Sequence, residues 1–143
     1  KHFSNILYKM QNEIINNPST SPKDKLTIWA NNLMKFMFQY PALIPLVTNL
    51  VLQDENYNPE IFKRFFNNIE FKEKIEKIIS SITYIDDLEI LNYKYIQLFY
   101  GILGPILFQS MPDISYSKKV FIDFSIEEER LKYIKNLINT ILK

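Results

Sequence analysis

The chain has 143 residues, of which 47% are hydrophobic and 15% aromatic, so its composition excludes disorder and allows one domain (residues 1–143) with a sizeable core. Seventeen basic and 16 acidic residues give a net charge of +1, and lysine and glutamate interleave, which argues against a nucleic-acid-binding surface. The absence of cysteine excludes disulfides, thiolate metal sites and cysteine nucleophiles.

The spacing of apolar residues is helical from the start of the chain. It predicts a helix over Phe3–Ile15 and then a loop over Asn16–Pro22, where two prolines and small polar residues cannot continue a helix. Ser21 is placed to cap a second helix, whose apolar stripe ends at Tyr40. The segment Pro41–Leu52 has no charged side chain, so we expect it to be buried on most sides.

The middle of the chain carries two more helix signals. Asn58-Pro59-Glu60 has the cap-then-proline order of a helix start, and an apolar stripe then runs to Ile82. Asp87, or its neighbour Asp86, is expected to cap a long penultimate helix, Asp87–Phe108.

Both glycines of the chain lie in that penultimate helix. Gly101 and Gly104 are three residues apart and share a face, where the lack of side chains lets a neighbouring helix approach closely. Pro105 has no N–H to donate to the carbonyl of Gly101, so we expect a kink or a short irregular turn there.

The chain closes with an amphipathic helix. Ser125 and Glu128 form a capping-box pattern after a loop over Met111–Asp123, and helical spacing then continues over Ile126–Leu142. We find no internal repeat, no linker and no strand signal that persists. These elements predict an all-α fold, a single bundle of about six to eight helices.

One uncharged segment raises the question of a membrane span. Tyr95–Met111 is near the lower length limit of a spanning helix, but it contains Gln97, Gln109 and Pro105. A buried helix explains such a segment better, so we expect no contact with a membrane.

The residue patterns that support enzymatic chemistry are missing. His2 is the single histidine and stands at the exposed start of the chain. Acidic pairs such as Asp54-Glu55 and Asp86-Asp87 fall at loops or helix starts, where carboxylates stabilise the positive end of a helix. Serines have no base placed to activate them, and no glycine-rich phosphate loop exists. The sequence predicts a protein that is not an enzyme and has no catalytic residue, metal site or cofactor.

Aromatic side chains are abundant, with 11 Phe, 9 Tyr and 1 Trp. Core packing is one interpretation, and it stays open. The other is an apolar cavity in which a few polar groups orient a ligand, and Tyr93, Gln97 and Tyr100 form a polar stripe at helical spacing. The candidate ligand-binding residues are Trp29, Asn32, Phe36, Phe66, Tyr93, Gln97 and Tyr100.

Five features follow one another in a recognisable order. They are a helix that ends in Tyr40-Pro41-Ala42-Leu43-Ile44, a proline-capped start at Asn58-Pro59-Glu60, an acidic start at Ile85-Asp86-Asp87, the apolar helix with Gly101, and a last helix after Phe124-Ser125. This order, over nearly the whole chain, resembles the C-terminal ligand-binding and dimerisation domain of TetR-family transcriptional regulators.

The resemblance implies a function. In that family an N-terminal helix-turn-helix domain binds operator DNA, and the C-terminal domain binds an effector and dimerises through its last two helices. For this chain the resemblance assigns dimerisation to Asp87–Phe108 and Ile126–Leu142, with Leu98, Ile102, Leu131, Ile134, Ile138 and Ile141 as candidate interface residues. It implies a cytoplasmic homodimer that responds to a small apolar or aromatic effector.

The sequence contains no helix-turn-helix. Lys1–Ile15 corresponds to the family's connecting helix, and the first residue is not Met, so we expect a parent protein whose missing N-terminal domain binds the DNA. The alternative is a free-standing helical protein-interaction module with no small-molecule ligand, in which the aromatic side chains only fill the core.

Overall fold

A computed structural model describes residues 2–42, 44–45, 69–109 and 122–143. These residues form α-helices and no β-strand, so the predicted all-α class is confirmed. The helices are α1 (His2–Ile15), α2 (Pro22–Gln39), α3 (Ile69–Thr83), α4 (Leu88–Gln109) and α5 (Glu127–Ile141). The number of six to eight helices expected for the whole chain stays a prediction, because part of the chain lies outside the described residues. The predicted helix start at Asn58-Pro59-Glu60 and most of the segments Pro41–Leu52 and Met111–Asp123 lie outside the described residues.

Helix α2 begins and ends where its sequence signals place it. The Ser21 hydroxyl oxygen accepts a hydrogen bond from the Asp24 N–H at 3.3 Å, and Pro22 occupies the first helical position. Asp24 lies in the first turn, where its charge complements the positive helix end. The predicted cap and helix start are confirmed.

Helix α2 is also the centre of the fold, because each of the other four helices packs against it. Its buried side chains therefore extend around more than one face, and most of them are apolar. They are Leu26, Trp29, Ala30, Asn31, Leu33, Met34, Phe36 and Met37.

A buried polar cluster joins α2 to the start of α5. Arg130 is only 4% exposed, and its Nε donates to the Asn31 Oδ1 at 3.0 Å. Its Nη1 donates to the carbonyl oxygens of Phe124, at 3.2 Å, and Ser125, at 2.9 Å. Asn31 in turn donates to the carboxylate of Glu127 at 3.4 Å. This cluster fixes the loop before α5 onto α2, because a buried guanidinium must keep its acceptors.

The predicted capping box at Ser125 and Glu128 is wrong. The cap position of α5 is Ile126, whose side chain makes no capping hydrogen bond. The Ser125 hydroxyl donates instead to the Asp123 carboxylate at 2.6 Å, and the Asp123 N–H donates to Glu129 at 2.8 Å. An aspartate two residues upstream competes for the serine, because Asp and Ser side chains readily form such local turns.

Helix α4 begins as predicted and has no irregular turn at Pro105, while the alternative of a kink there stays a prediction. The Asp87 carboxylate accepts hydrogen bonds from the N–H groups of Glu89, at 2.9 Å, and Ile90, at 3.4 Å. The helix then continues without interruption through Pro105 to its end. Pro105 has no N–H, so the carbonyl oxygen of Gly101 has no donor within the continuous helix and needs a donor from elsewhere.

Helix α5 supplies that donor at the closest contact between the last two helices. The Tyr133 hydroxyl donates to the carbonyl oxygen of Gly101 at 2.6 Å. A Cβ on Gly101 would lie 2.7 Å from the Leu137 Cδ1, so a larger residue there would force the Leu137 side chain to shift. Gly104 is exposed, and a Cβ there would have no atom within 4 Å, so the predicted close approach holds at one glycine and not at the other.

The far end of α5 is held by α4 as well. The Lys94 ammonium donates to the carbonyl oxygen of Ile141 at 2.6 Å. A cation at this position satisfies a carbonyl that has no partner within its helix and interacts favourably with the negative helix end. No helix among the described residues is long and apolar enough to cross a membrane.

We expect Tyr133→Phe to lower the free energy of unfolding by about 1–2 kcal/mol, because the Gly101 carbonyl loses its hydroxyl donor and Pro105 cannot replace it. In a Pro105→Ala background the new N–H can donate to Gly101 within the helix. The same Tyr133→Phe change should then cost roughly 0.5 kcal/mol. Urea unfolding of the four proteins in this double-mutant cycle measures the difference.

Tyr93→Phe is the matched control, because Tyr93 is an exposed tyrosine on α4 whose hydroxyl does not bond to the Gly101 carbonyl. It should change stability by no more than about 0.5 kcal/mol. An equal cost of Tyr133→Phe with and without Pro105 would contradict the assigned role of the tyrosine.

Candidate functional site

Trp29 is the most unusual side chain of the predicted pocket. It is 1% exposed, and its ring lies 5.8 Å from that of Phe71 on α3, tilted by 54°. Its Nε1–H is buried and has no hydrogen-bond partner. Trp29 is alone in this respect among the buried side chains of the described residues. An unpaired buried donor costs free energy, so this N–H is open to a hydrogen-bond acceptor.

Two further predicted pocket residues lie on α2. Phe36 is buried, with its ring 4.9 Å from that of Tyr40, and Asn32 is half-buried. Phe36 is two turns from Trp29 on the same helix, so both side chains enter the core from similar directions. Phe66, the fourth aromatic candidate, lies outside the described residues.

The structure does not bring the polar stripe of α4 to this place. Tyr93 and Tyr100 are each 51% exposed, and Gln97 between them is exposed as well. The opposite side of α4, with Leu98 and Ile102, faces the core. The seven candidate ligand-binding residues therefore divide into a buried set on α2 and an exposed set on α4.

Most of the candidate dimer-interface residues are buried within the single chain. Leu98, Ile102, Ile134 and Ile138 belong to its core, and Leu131 and Ile141 are half-buried. These residues pack inside the chain because α5 lies against both α2 and α4. The outer side of α5 is polar, with Lys132, Lys135, Asn136, Asn139 and Thr140 exposed. In this fold α5 thus presents no apolar seam to a second subunit.

The outer side of α4 has a different character. We define the α4 face as the exposed residues Tyr93, Ile96, Gln97, Tyr100 and Gly104. It carries no charge, and Ile96 at its centre is 42% exposed. Sequence reasoning missed Ile96, although it lies three residues from Tyr93 and four from Tyr100, a spacing that places all three on one side of a helix. An uncharged aromatic face of this kind is typical of a contact surface.

Tyr93 on this face and Tyr95 beside it both have a raised pKa, but for different reasons. The exposed Tyr93 hydroxyl donates to the Glu89 carboxylate, and this hydrogen bond is the main reason why the pKa of Tyr93 is raised. Tyr95 lies beside the face, stacks on Phe99 at 5.9 Å and has the Lys72 ammonium 5.9 Å from its ring centre. Burial, and then the negative charge of Glu76, raise the pKa of Tyr95 to about 12.

The raised pKa of Tyr95 makes stability depend on alkaline pH. Its contribution is fully present below pH 10, where the tyrosine is neutral in both states, and is lost as the pH rises through about 12. Since one pKa unit corresponds to about 1.4 kcal/mol, we expect a loss of roughly 2–3 kcal/mol over this window. Urea unfolding at a series of pH values measures how the free energy of unfolding depends on pH. Tyr95→Phe should remove the part of that dependence between pH 10 and about 12. A slope that is unchanged in Tyr95→Phe would contradict the assignment.

Other kinds of site find no support in the described part of the chain. No group of three or more His, Asp or Glu side chains there is placed to hold a metal ion. No protein-family model, characterised protein or solved structure matches the chain. The resemblance to TetR-family domains therefore remains a hypothesis that rests on the order of sequence features.

Proposed function

We propose that this chain is the effector-binding and dimerisation domain of a TetR-like transcriptional regulator. The observation that carries the proposal is the unpartnered Nε1–H of Trp29, buried at the centre of an all-helical domain. A bound effector with a hydrogen-bond acceptor would satisfy this donor and recover its desolvation cost. The proposed effector is neutral and largely apolar, because the fully buried side chains of α2 around Trp29 include Leu26, Leu33 and Met34.

The helix contacts provide a route from the effector to DNA. An effector at Trp29 would have to part the contact between α2 and α3, where Phe71 lies 5.8 Å from the indole. It would therefore favour an arrangement in which α2 has moved. Helix α1 packs on α2 and would move with it. In the TetR family the matching helix leads to the helix-turn-helix, so such a movement would change the spacing of the two DNA-binding heads.

Trp29 is the single tryptophan of the chain, so its fluorescence reports on this one position. We expect some members of a panel of neutral ketones, lactones and aryl ethers to shift the emission in a saturable way. At a hundredfold excess over the Kd such a ligand should raise the free energy of unfolding by about 2.7 kcal/mol. Trp29→Phe keeps an aromatic ring but removes the donor, so the thermal shift should show roughly 2–10-fold weaker binding.

Phe71→Leu is the matched control, because it alters the neighbouring ring and keeps the indole N–H. Its ligand preference for acceptor groups should persist, whereas Trp29→Phe should bind acceptor and non-acceptor analogues alike. If no compound shifts the emission, and Trp29→Phe lowers the free energy of unfolding as expected for the loss of a packed indole, Trp29 serves only packing and the effector proposal is wrong.

The proposed homodimer uses the α4 face, since the residues first assigned to the interface are mostly internal. In a two-fold dimer the same patch meets itself, and the five residues of the α4 face bring no charge to its centre, while the Glu89 carboxylate that accepts from Tyr93 lies at its edge. The face includes Tyr93, Ile96 and Tyr100, which provide exposed apolar area. The open backbone at Gly104 leaves room for a close approach.

We expect sedimentation at high micromolar concentration to show a dimer that Ile96→Glu dissociates without loss of helical circular dichroism, because a charge cannot be buried unpaired at the interface. Asn136→Glu adds the same charge on the exposed side of α5 and should leave the dimer intact. Ile134→Glu should unfold the chain, since Ile134 is fully buried. A monomeric parent protein, or equal effects of Ile96→Glu and Asn136→Glu, would disprove this interface.

A helical protein-interaction module is the second candidate, and the α4 face favours it too. In that case the face would bind a different protein, and Trp29 would have no ligand. The fluorescence titration separates the two candidates, because only an effector-binding domain should show a saturable shift of the Trp29 emission.

A further inference from the structure

A groove lies between α3 and the start of α4, away from both surfaces described above. It encloses ≈ 370 Å³ and is lined by Glu73, Glu76, Lys77, Ser80, Asp86, Leu88 and Leu91. Leu91 is buried and forms an apolar wall, while Leu88 is 75% exposed at the rim. The groove thus combines three carboxylates and one ammonium group with an apolar wall.

The acidic side chains of this region are not equivalent. On α3, Glu76 pairs with Lys72 at 3.2 Å and Glu70 pairs with Lys74 at 3.7 Å. Glu73 forms no such pair among the described residues, either with Lys77 or with another ammonium group. The stabilising role of a helical ion pair therefore does not explain Glu73.

The two aspartates before α4 differ in the same way. Asp87 caps the helix through two backbone N–H groups. Asp86 makes no hydrogen bond or ion pair with the described residues, and it lines the groove opposite α3. Glu73 and Asp86 thus provide two carboxylates that form no ion pair, in a groove whose lining has three carboxylates and one ammonium group, that of Lys77.

Two large side chains are exposed at the rim of the groove or close to it in the chain. Tyr84, which lies between Ser80 and Asp86 in the chain, is 87% exposed, and Leu88 projects from the first turn of α4. A small ligand that fills the groove would leave much of this surface in water. A peptide segment can place a basic side chain in the groove and an apolar one over the rim at the same time.

We propose that this groove is a docking site for a partner-protein segment that carries a basic residue beside a large apolar one. The charge argument selects the occupant, because three carboxylates against the single ammonium group of Lys77 leave the lining with an excess of negative charge, which attracts a cation and disfavours an acidic segment. The apolar rim selects a peptide over an inorganic or small organic cation. This surface is separate from Trp29 and from the α4 face, so it can be tested independently of the effector and of the dimer.

The probe is a synthetic, amidated peptide with leucine and lysine at helical spacing and a fluorescent label. We expect saturable anisotropy with the full chain, and none with a leucine–glutamate peptide of the same pattern. The double variant Glu73→Gln/Asp86→Asn should bind roughly three- to tenfold more weakly, as expected for the loss of two exposed charge contacts. Leu88→Ser should weaken binding by a similar factor while circular dichroism stays unchanged.

The matched control is Glu13→Gln/Glu128→Gln, which changes the net charge equally at exposed positions elsewhere. It should alter affinity by less than about twofold, since salt screens distant charges. Equal weakening by both double variants would reduce the effect to net charge and overturn the proposal. Unaltered binding to Leu88→Ser would do the same. Variant-sensitive binding of tetraethylammonium, without binding of the peptide, would make the groove a small-cation site instead. A change in sedimentation of Glu73→Gln/Asp86→Asn alone would assign it to a second copy of the chain.

Discussion

The fold depends on the burial of α2, against which all four other described helices pack. A helix covered on several sides has few ways to satisfy polar groups, because water cannot reach them. Asn31 meets this constraint by bonding to Arg130, whereas the indole N–H of Trp29 does not meet it at all. The same burial that stabilises the bundle thus creates its one unsatisfied donor among the described residues.

A hydrogen bond that is missing within α4 helps to position α5. Pro105 would ordinarily leave a carbonyl without a donor inside the helix. Here Gly101 carries that carbonyl and also lacks a Cβ that would crowd Leu137, which lies one turn from Tyr133 on α5. The hydroxyl of Tyr133 can therefore reach the backbone of α4. The Gly101 carbonyl thus lacks a hydrogen bond within α4 and accepts the hydrogen bond that holds α5.

Local rules predicted the starts of helices well and the use of their faces poorly. Ser21 and Asp87 could be assigned as caps because the required partners lie within three residues. Ser125 could not, because nearby Asp123 takes its hydroxyl. The seam through Ile134 and Ile138 reads as apolar in any helical pattern, and spacing alone cannot say whether it meets its own chain or a second one. Likewise, a spacing of four and three grouped Tyr93, Gln97 and Tyr100 correctly on one face, but the sequence contained nothing that orients this face toward or away from Trp29.

The positions of Trp29 and Asn31 bear on how the proposed regulator would work. They are two residues apart, which places them about 200° apart around α2. Trp29 faces α3 through Phe71, and Asn31 is bonded to Arg130 of α5. An effector that enters beside the indole would press α2 toward a contact that resists displacement, because the buried guanidinium must keep its acceptors. Helix α2 would then tilt about that fixed point instead of moving as a whole. A tilt moves the ends of a helix more than its centre, so the proposed movement would be larger at the two ends of α2, including the end joined to α1, than at Asn31.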